Sequence, residues 1–261
     1  LPTASILDFY MGGTPGLGAD DTASLSRAVA ETCLCALDLP KGEYIINNPS
    51  GGVAVENYSG KIGGRGKLRF ANPTNTGISW NYCHGLHLAE FRSEYIDART
   101  TRNGATMIVV RFCNDVQIDA MTLRNGNAAA LLTLECANME IGRICMDGFK
   151  ANGLMVVNAA GLTIGQLIAR NVEDGALELS CFDGKSVITD CSDITVGSIN
   201  VKNADIGLLI NSARRVNVGV CKIDRTRYNG IQIIQDLNTT TAQWPDDISI
   251  GNSVITNVGA I

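Results

Sequence analysis

Apolar and polar residues alternate in short runs along most of this chain, and the runs recur. VQIDAMTLRN from Val116, MEIGRICMDG from Met139, LTIGQLIARN from Leu162, ITVGSINVKN from Ile194, VNVGVCKIDR from Val216 and ISIGNSVITN from Ile248 align with one another. Their reference residues Ile118, Ile141, Ile164, Val196, Val218 and Ile250 stand 23, 23, 32, 22 and 32 residues apart. Fainter copies put Leu88 and Ile62 in the same column. A period of about 22–23, with insertions of about nine, is the mark of a solenoid that adds one coil per repeat.

Within a coil the alternation has period two, so one face of each short strand points in and the other out. Leu154/Val156, Leu177/Leu179, Leu208/Ile210 and Ile231/Ile233 read as a first strand. The aligned segments supply a second strand, with its apolar pair at Met139/Ile141, and a third, at Ile144/Met146. The pattern predicts an all-β fold, a single-stranded right-handed parallel β-helix of about eight coils. Gly142, Gly165, Gly197, Gly219 and Gly251 form a column where the chain is expected to bend. Asn125, Asn171, Asn203 and Asn257 form another, whose stacked amides can bond one another. Cys83, Cys113, Cys136 and Cys191, with Ala159 and Ala213, form a third that reads as small apolar packing at a corner.

The N-terminus breaks the pattern. Asp20 or Asp21 can cap a helix over 22–32, with Leu25, Ala28, Val29 and Cys33 on one face. Leu39-Pro40-Lys41-Gly42-Glu43-Tyr44 then reads strand, turn, strand. A solenoid end exposes backbone and core, so an amphipathic helix there is expected as a plug. The expected division is a cap over 1–50 and a β-helix over 51–261. Val258-Gly259-Ala260-Ile261 looks like the start of a further coil, so the helix is expected to continue.

Composition adds exclusions. Hydrophobic residues make up 45% and charged residues 18%, a globular balance, and the net charge of −5 offers no field for nucleic acid. No apolar stretch is long enough to insert in a membrane, and no leader is visible at the start. Nine cysteines without a CxxC pair fit neither a zinc site nor a disulfide scaffold. No cofactor or metal is expected: Asp190 and Asp193 are too few for a calcium cage, and the GKIGGRG turn lacks a P-loop ending.

Leu7-Asp8-Phe9-Tyr10, Gly16-Leu17-Gly18-Ala19-Asp20-Asp21-Thr22-Ala23 and Leu39-Pro40-Lys41-Gly42-Glu43-Tyr44 resemble the N-terminal motif of pectate-lyase-superfamily β-helix proteins. The resemblance covers about the first 45 residues by motif and the rest by coil pattern. Tyr10-Met11-Gly12-Gly13 departs from it, where the family has Gly-Ala. The family includes phage tailspike depolymerases, polygalacturonase-like hydrolases, pectate lyases and epimerases. The paired-Asp with Gly-His-Gly signature of the hydrolases and the Arg-x-Pro-x-x-Arg signature of the lyases are both missing. What the resemblance implies is a tailspike-type virion protein that binds and degrades a bacterial surface polysaccharide, alone or with other virion proteins. A secreted monomeric lyase, hydrolase or epimerase, and a non-catalytic adhesive solenoid, are the alternatives.

Cleaving a sugar chain needs two carboxyl groups, one protonated and one ionised. Glu178 is the candidate acid: it falls on the outward face of the first strand, in the column Leu132, Met155, Glu178, Leu209, Gln232. Apolar neighbours would raise its pKa, or else it is a surface acid that happens to have them. Asp174, just before the same strand, and Asp205, one coil on, are its candidate partners. Gln232, Glu173 and Asn211 are candidates for holding substrate. Trp244 joins them as a sugar-stacking platform, unless its loop folds it onto its own coil. The two insertions, 182–190 and 235–246, are expected to wall a groove. The outward residues Leu132, Leu134, Met155, Val157, Leu209 and Ile234 would form an apolar patch. Such a patch suits the interface of a homotrimer, which competes with an open groove there.

Overall fold

A computed structural model describes residues 3–9, 20–32, 36–48, 52–97, 105–181, 190–235 and 244–259. Every strand pairing in it is parallel. Parallel neighbours cannot be joined by a hairpin, so the chain makes a full turn before each strand meets the next copy. The strand Ala137–Phe149 has Asn114–Gly126 on one side and Ala160–Ser180 on the other. Ile62, Leu88, Ile118, Ile141, Ile164, Val196, Val218 and Ile250 form one unbroken column, as their spacing predicts. The 32-residue intervals keep that register, so the extra residues do not shift it.

The three strands of a coil are less separate than the alternation suggests. Second and third strands run on as one, as in Ala137–Phe149, and Ala160–Ser180 continues through the first strand as well. The bend at Gly142 and Gly165 is made inside that run. Sequence reasoning attributed these glycines to backbone freedom, but their φ angles are not positive. They are required by space: a Cβ on Gly165 would lie 2.5 Å from the Gly142 carbonyl oxygen, and one on Gly197 2.6 Å from that of Gly165.

Left-handed backbone is used at the corners instead. Asn125, Asn171, Asn203 and Asn257 have φ between 52 and 59°, and Gly148 takes the vacant place in that column at +77°. Asparagine tolerates this region because its short amide bonds locally. Asn203 Nδ2 donates to Asn171 Oδ1 at 2.9 Å. At the other corner, left-handed residues flank the small-residue column, as Phe112 and Asp115 flank Cys113. Cys83, Cys113, Cys136 and Cys191 are buried there, and burial pushes the Cys191 thiol up to about 12. These thiols are packing groups.

Inside, the apolar columns form one continuous core from Ile6 to Ile223. The helix Thr22–Glu31 adds Leu25, Ala28 and Val29 to it, while Cys33 lies outside the described residues. Asp21 is the N-cap residue but makes no side-chain cap bond; Asp20, one residue earlier, accepts from Thr22 N–H at 2.9 Å. Asp21 is wholly buried and ties the helix start to the strand Glu43–Ile46: its N–H donates to Ile45 O at 2.7 Å, and its Oδ2 accepts from Ile45 N–H at 2.8 Å. No described helix is long and apolar enough to cross a membrane. Half of the Gly16–Ala23 motif and most of both insertions fall outside the described residues.

The glycine column makes a sharp expectation. Gly165→Ala should cost about 1–3 kcal/mol in denaturant unfolding, because the Gly142 backbone of the preceding coil blocks the methyl group. Thr163→Ala, exposed two residues away, should stay within about 0.5 kcal/mol. Equal effects would contradict close stacking at the bend.

Candidate functional site

The parallel register places Glu178 between Met155 and Leu209, with Leu132 and Gln232 further along the column. Its side chain leaves the outward face of the strand, yet the residue is only 8% exposed. Two donors hold the carboxyl group. Ser180 Oγ donates to Oε1 at 2.6 Å, and Asn152 Nδ2 donates to Oε2. Asn152 comes from the turn of the preceding coil. Gly175 stands beside this contact, where a Cβ would lie 3.4 Å from Asn152 Nδ2. Burial pushes the Glu178 pKa up, and the Asp174 charge adds to the rise. The hydrogen bonds from Ser180 and Asn152 oppose it by favouring the ionised form.

The other candidate acids meet at one corner. Val172 pairs with Ala204 and Gly175 with Ile206, so Glu173 and Asp174 bulge opposite the single residue Asp205. On its other side Asp205 faces Arg227 and Tyr228, because Ala204 pairs with Thr226 and Ile206 with Asn229. Asp174 and Asp205 are half-buried. Glu173 is exposed and ion-paired with Lys150, which commits it to its own surface.

The remaining candidates divide. Gln232 lies two coils from Glu178, about 10 Å along the ladder, and its Oε1 accepts from Asn229 Nδ2 at 3.2 Å. Asn211 pairs with Ser180 and is buried, so it flanks the hydroxyl that holds Glu178. Trp244 is 71% exposed but is not on this ladder. It precedes the strand Asp246–Val258, whose Asp246 pairs with Arg214 on the second-strand face. Gln243 and the residues 236–242 lie outside the described residues.

The apolar outward patch needs correction. Val157 is only 4% exposed, covered although it stands in the outward column, and it is not part of the inner core. Leu132, Leu134, Met155 and Leu209 are half-buried, and Ile234 alone of the six is exposed. The face is therefore less open than alternation implies. Sequence reasoning also missed Asn152 and Ser180. Ser180 was within reach as the next outward residue of the same strand. Asn152 was not, because only the register brings that turn against the following coil.

Among the described residues no group of three or more His, Cys, Asp or Glu is placed to hold a metal. Asp193 is held by Arg215 through two contacts of 2.7 Å, and Asp190 by Arg214. His87 Nε2 lies 2.8 Å from Asp119 Oδ2.

No protein-family model matches the chain, and no curated protein matches it. Solved structures do. The A-module of mannuronan C-5 epimerase AlgE6 from Azotobacter vinelandii aligns at TM-score 0.52 and 11% identity, over 97% of this chain and 98% of that one. The AlgE4 A-module of the same organism aligns at 0.36 and 11%, over 98% and 97%. ORF18 of Geobacillus virus E2 aligns at 0.46 and 11%, over 91% of this chain and 60% of that one. At such identities a likeness speaks for fold alone, and the AlgE6 module, with the stacked parallel coils, places the chain in the class of parallel β-helix proteins.

The Glu178 clasp gives a pH-dependent expectation. Its raised pKa means that the protonated form stabilises the fold at low pH. That contribution is lost as pH rises through the folded value. Ser180→Ala removes a donor that favours the ionised form, so its cost should grow from about pH 5 to about pH 8, reaching about 1–3 kcal/mol. Denaturant unfolding at the two pH values checks this, and a cost that stays constant or shrinks would contradict the clasp.

Proposed function

We propose that this chain is the β-helix part of a phage tailspike-type protein that binds and degrades a bacterial surface polysaccharide. The observation that carries the reading is Glu178: a buried carboxyl on an outward strand face, its pKa raised, next to a corner with two further acids. Glu178 gives its proton to the glycosidic oxygen of the leaving sugar. Asp174 or Asp205, ionised, acts as base or nucleophile from the corner. Gln232 and Asn211 position the chain, Glu173 and Trp244 contact it further out, and no cofactor takes part. The AlgE6 module, named for an epimerase of mannuronan, supports a polysaccharide as the class of substrate.

In this proposal the solenoid is right-handed with about eight coils, as crossover connections overwhelmingly are. Residues 1–50 form a cap plugged by the helix Thr22–Glu31, and 51–261 form the β-helix. Three copies associate through the first-strand face in the virion, on which Ile234 is exposed and Leu209 and Leu132 are half-buried. The epimerase named for the AlgE6 module also suits a second reading, an enzyme outside a virion; in that reading the chain is a secreted monomer, and light scattering on the intact protein separates monomer from trimer. A non-catalytic adhesive solenoid draws support from the two hydrogen bonds that already occupy the Glu178 carboxyl.

Release of reducing or unsaturated ends from a panel of bacterial surface polysaccharides tests the assignment. Glu178→Gln should lower the rate about 10²- to 10⁴-fold with the native circular dichroism spectrum retained. Asp174→Asn or Asp205→Asn should lower it comparably. Full activity in Glu178→Gln would remove Glu178 from the chemistry.

A further inference from the structure

The outward face of the third strand carries a feature that the proposed chemistry does not use. Arg124, Arg143 and Arg170 surround a groove of about 200 Å³. All three are exposed, and none makes an ion pair among the described residues. Arg65, Arg111 and Arg227 likewise make no ion pair among the described residues, with Arg111 bonded to Asn81 and Arg227 over the Tyr228 ring, but here three such arginines share one groove. Arg27, Arg69, Arg92, Arg214 and Arg215 each pair with an acid. An acidic chain of net charge −5 has thus left three neighbouring guanidinium groups without counter-ions.

Register explains how they meet. Arg124, Asp147 and Arg170 follow one another in one outward column, on three successive coils. Thr122, Cys145 and Ile168 form the parallel column two residues earlier, half-buried, and make the floor. Arg143, two residues earlier again, closes the other side. Asp147 accepts from Asn171 Nδ2 at 2.8 Å and pairs with neither flanking arginine; Glu94, before Arg124 in the column, is taken by Lys67 and Arg69, and Glu90, at the far end of the track, by Arg92. A second groove of about 230 Å³ shares Thr122, Arg143 and Cys145 and runs on to Arg92. Together they make an open track across four coils, about 14 Å along the solenoid axis.

We infer that this track is a binding site for an acidic polysaccharide, a linear chain bearing carboxylate groups that the three arginines receive. The planar guanidinium matches a carboxylate through paired hydrogen bonds, and the half-apolar floor suits the face of a sugar ring. The open ends admit a polymer. A nucleic acid fits less well: the only ring lining the track, Phe91, is buried and offers no stacking surface. The site lies around the corner from Glu178 and needs no catalysis, so it stands or falls separately from the proposed cleavage.

Titration calorimetry with polygalacturonate oligomers, against neutral dextran oligomers and single-stranded oligothymidylate, tests it on the intact chain. The wild type should bind polygalacturonate alone, and more weakly as salt rises. Each of Arg124→Gln, Arg143→Gln and Arg170→Gln should weaken binding about 2- to 5-fold, and the triple variant more than 10-fold. Arg27→Gln, on the helix, should leave it unchanged. Cys145 gives a second readout, since it is the one described cysteine that is not buried. Bound polygalacturonate should slow its alkylation, followed by peptide mass mapping. No binding, equal affinity for dextran or oligothymidylate, or full affinity in a folded triple variant would overturn the inference.

Discussion

The parallel backbone ladder between successive coils is the constraint on which everything else in this molecule depends. A single coil cannot bury its inward residues or satisfy its N–H and C=O groups; only the coils before and after it can. The ladder therefore demands that each coil repeat the outline of its neighbour. Extra residues must leave the register intact, and it is intact on both sides of the first insertion, at Ser180 and at Ser192. Bends must also superimpose, which is why glycine recurs where one carbonyl oxygen approaches the next coil to within 2.5 Å of an added methyl group. The corners reuse left-handed backbone for the same reason, and residues that tolerate it, chiefly asparagine, line up there.

A consequence for chemistry is that a side chain's closest partners are one coil away rather than adjacent in sequence. Glu178 owes its apolar flanks to Met155 and Leu209 and one of its two donors to Asn152. The bulge that gathers Asp174 near Asp205 is likewise a mismatch between neighbouring coils. The same rule assembles Arg124 and Arg170 on either side of Asp147. A scaffold of this kind builds sites by lining up columns, and a single substitution in one coil changes the surroundings of two others.

This also marks how much could be read in advance. The spacing of Ile118, Ile141, Ile164 and Val196 specifies the stack because inward positions tolerate few residue types, and that column is present throughout. The Glu178 column was legible by the same logic. The meaning of the glycine column was not, since a close carbonyl oxygen leaves the same trace in a sequence as a positive φ. Val157 was misjudged because alternation reports which way a residue points, not what lies over it. Asn152 was missed because it sits in a turn, where the period-two signal fades. The arginine track was missed because outward positions vary freely, and its meaning lies in absent partners. Trp244 follows an insertion, where the repeat gives no register to argue from.

The central claim is that stacking leaves Glu178 holding its proton more tightly than an ordinary glutamate. Carbon-13 NMR of side-chain carboxyl groups, with the Glu178 signal identified by its loss in Glu178→Gln, measures this directly. The account predicts a midpoint above the usual glutamate value of about 4.3, falling when Asp174 is replaced by asparagine. A midpoint at or below that value would contradict the burial and charge environment described for this carboxyl, and with it the case for Glu178 as a proton donor.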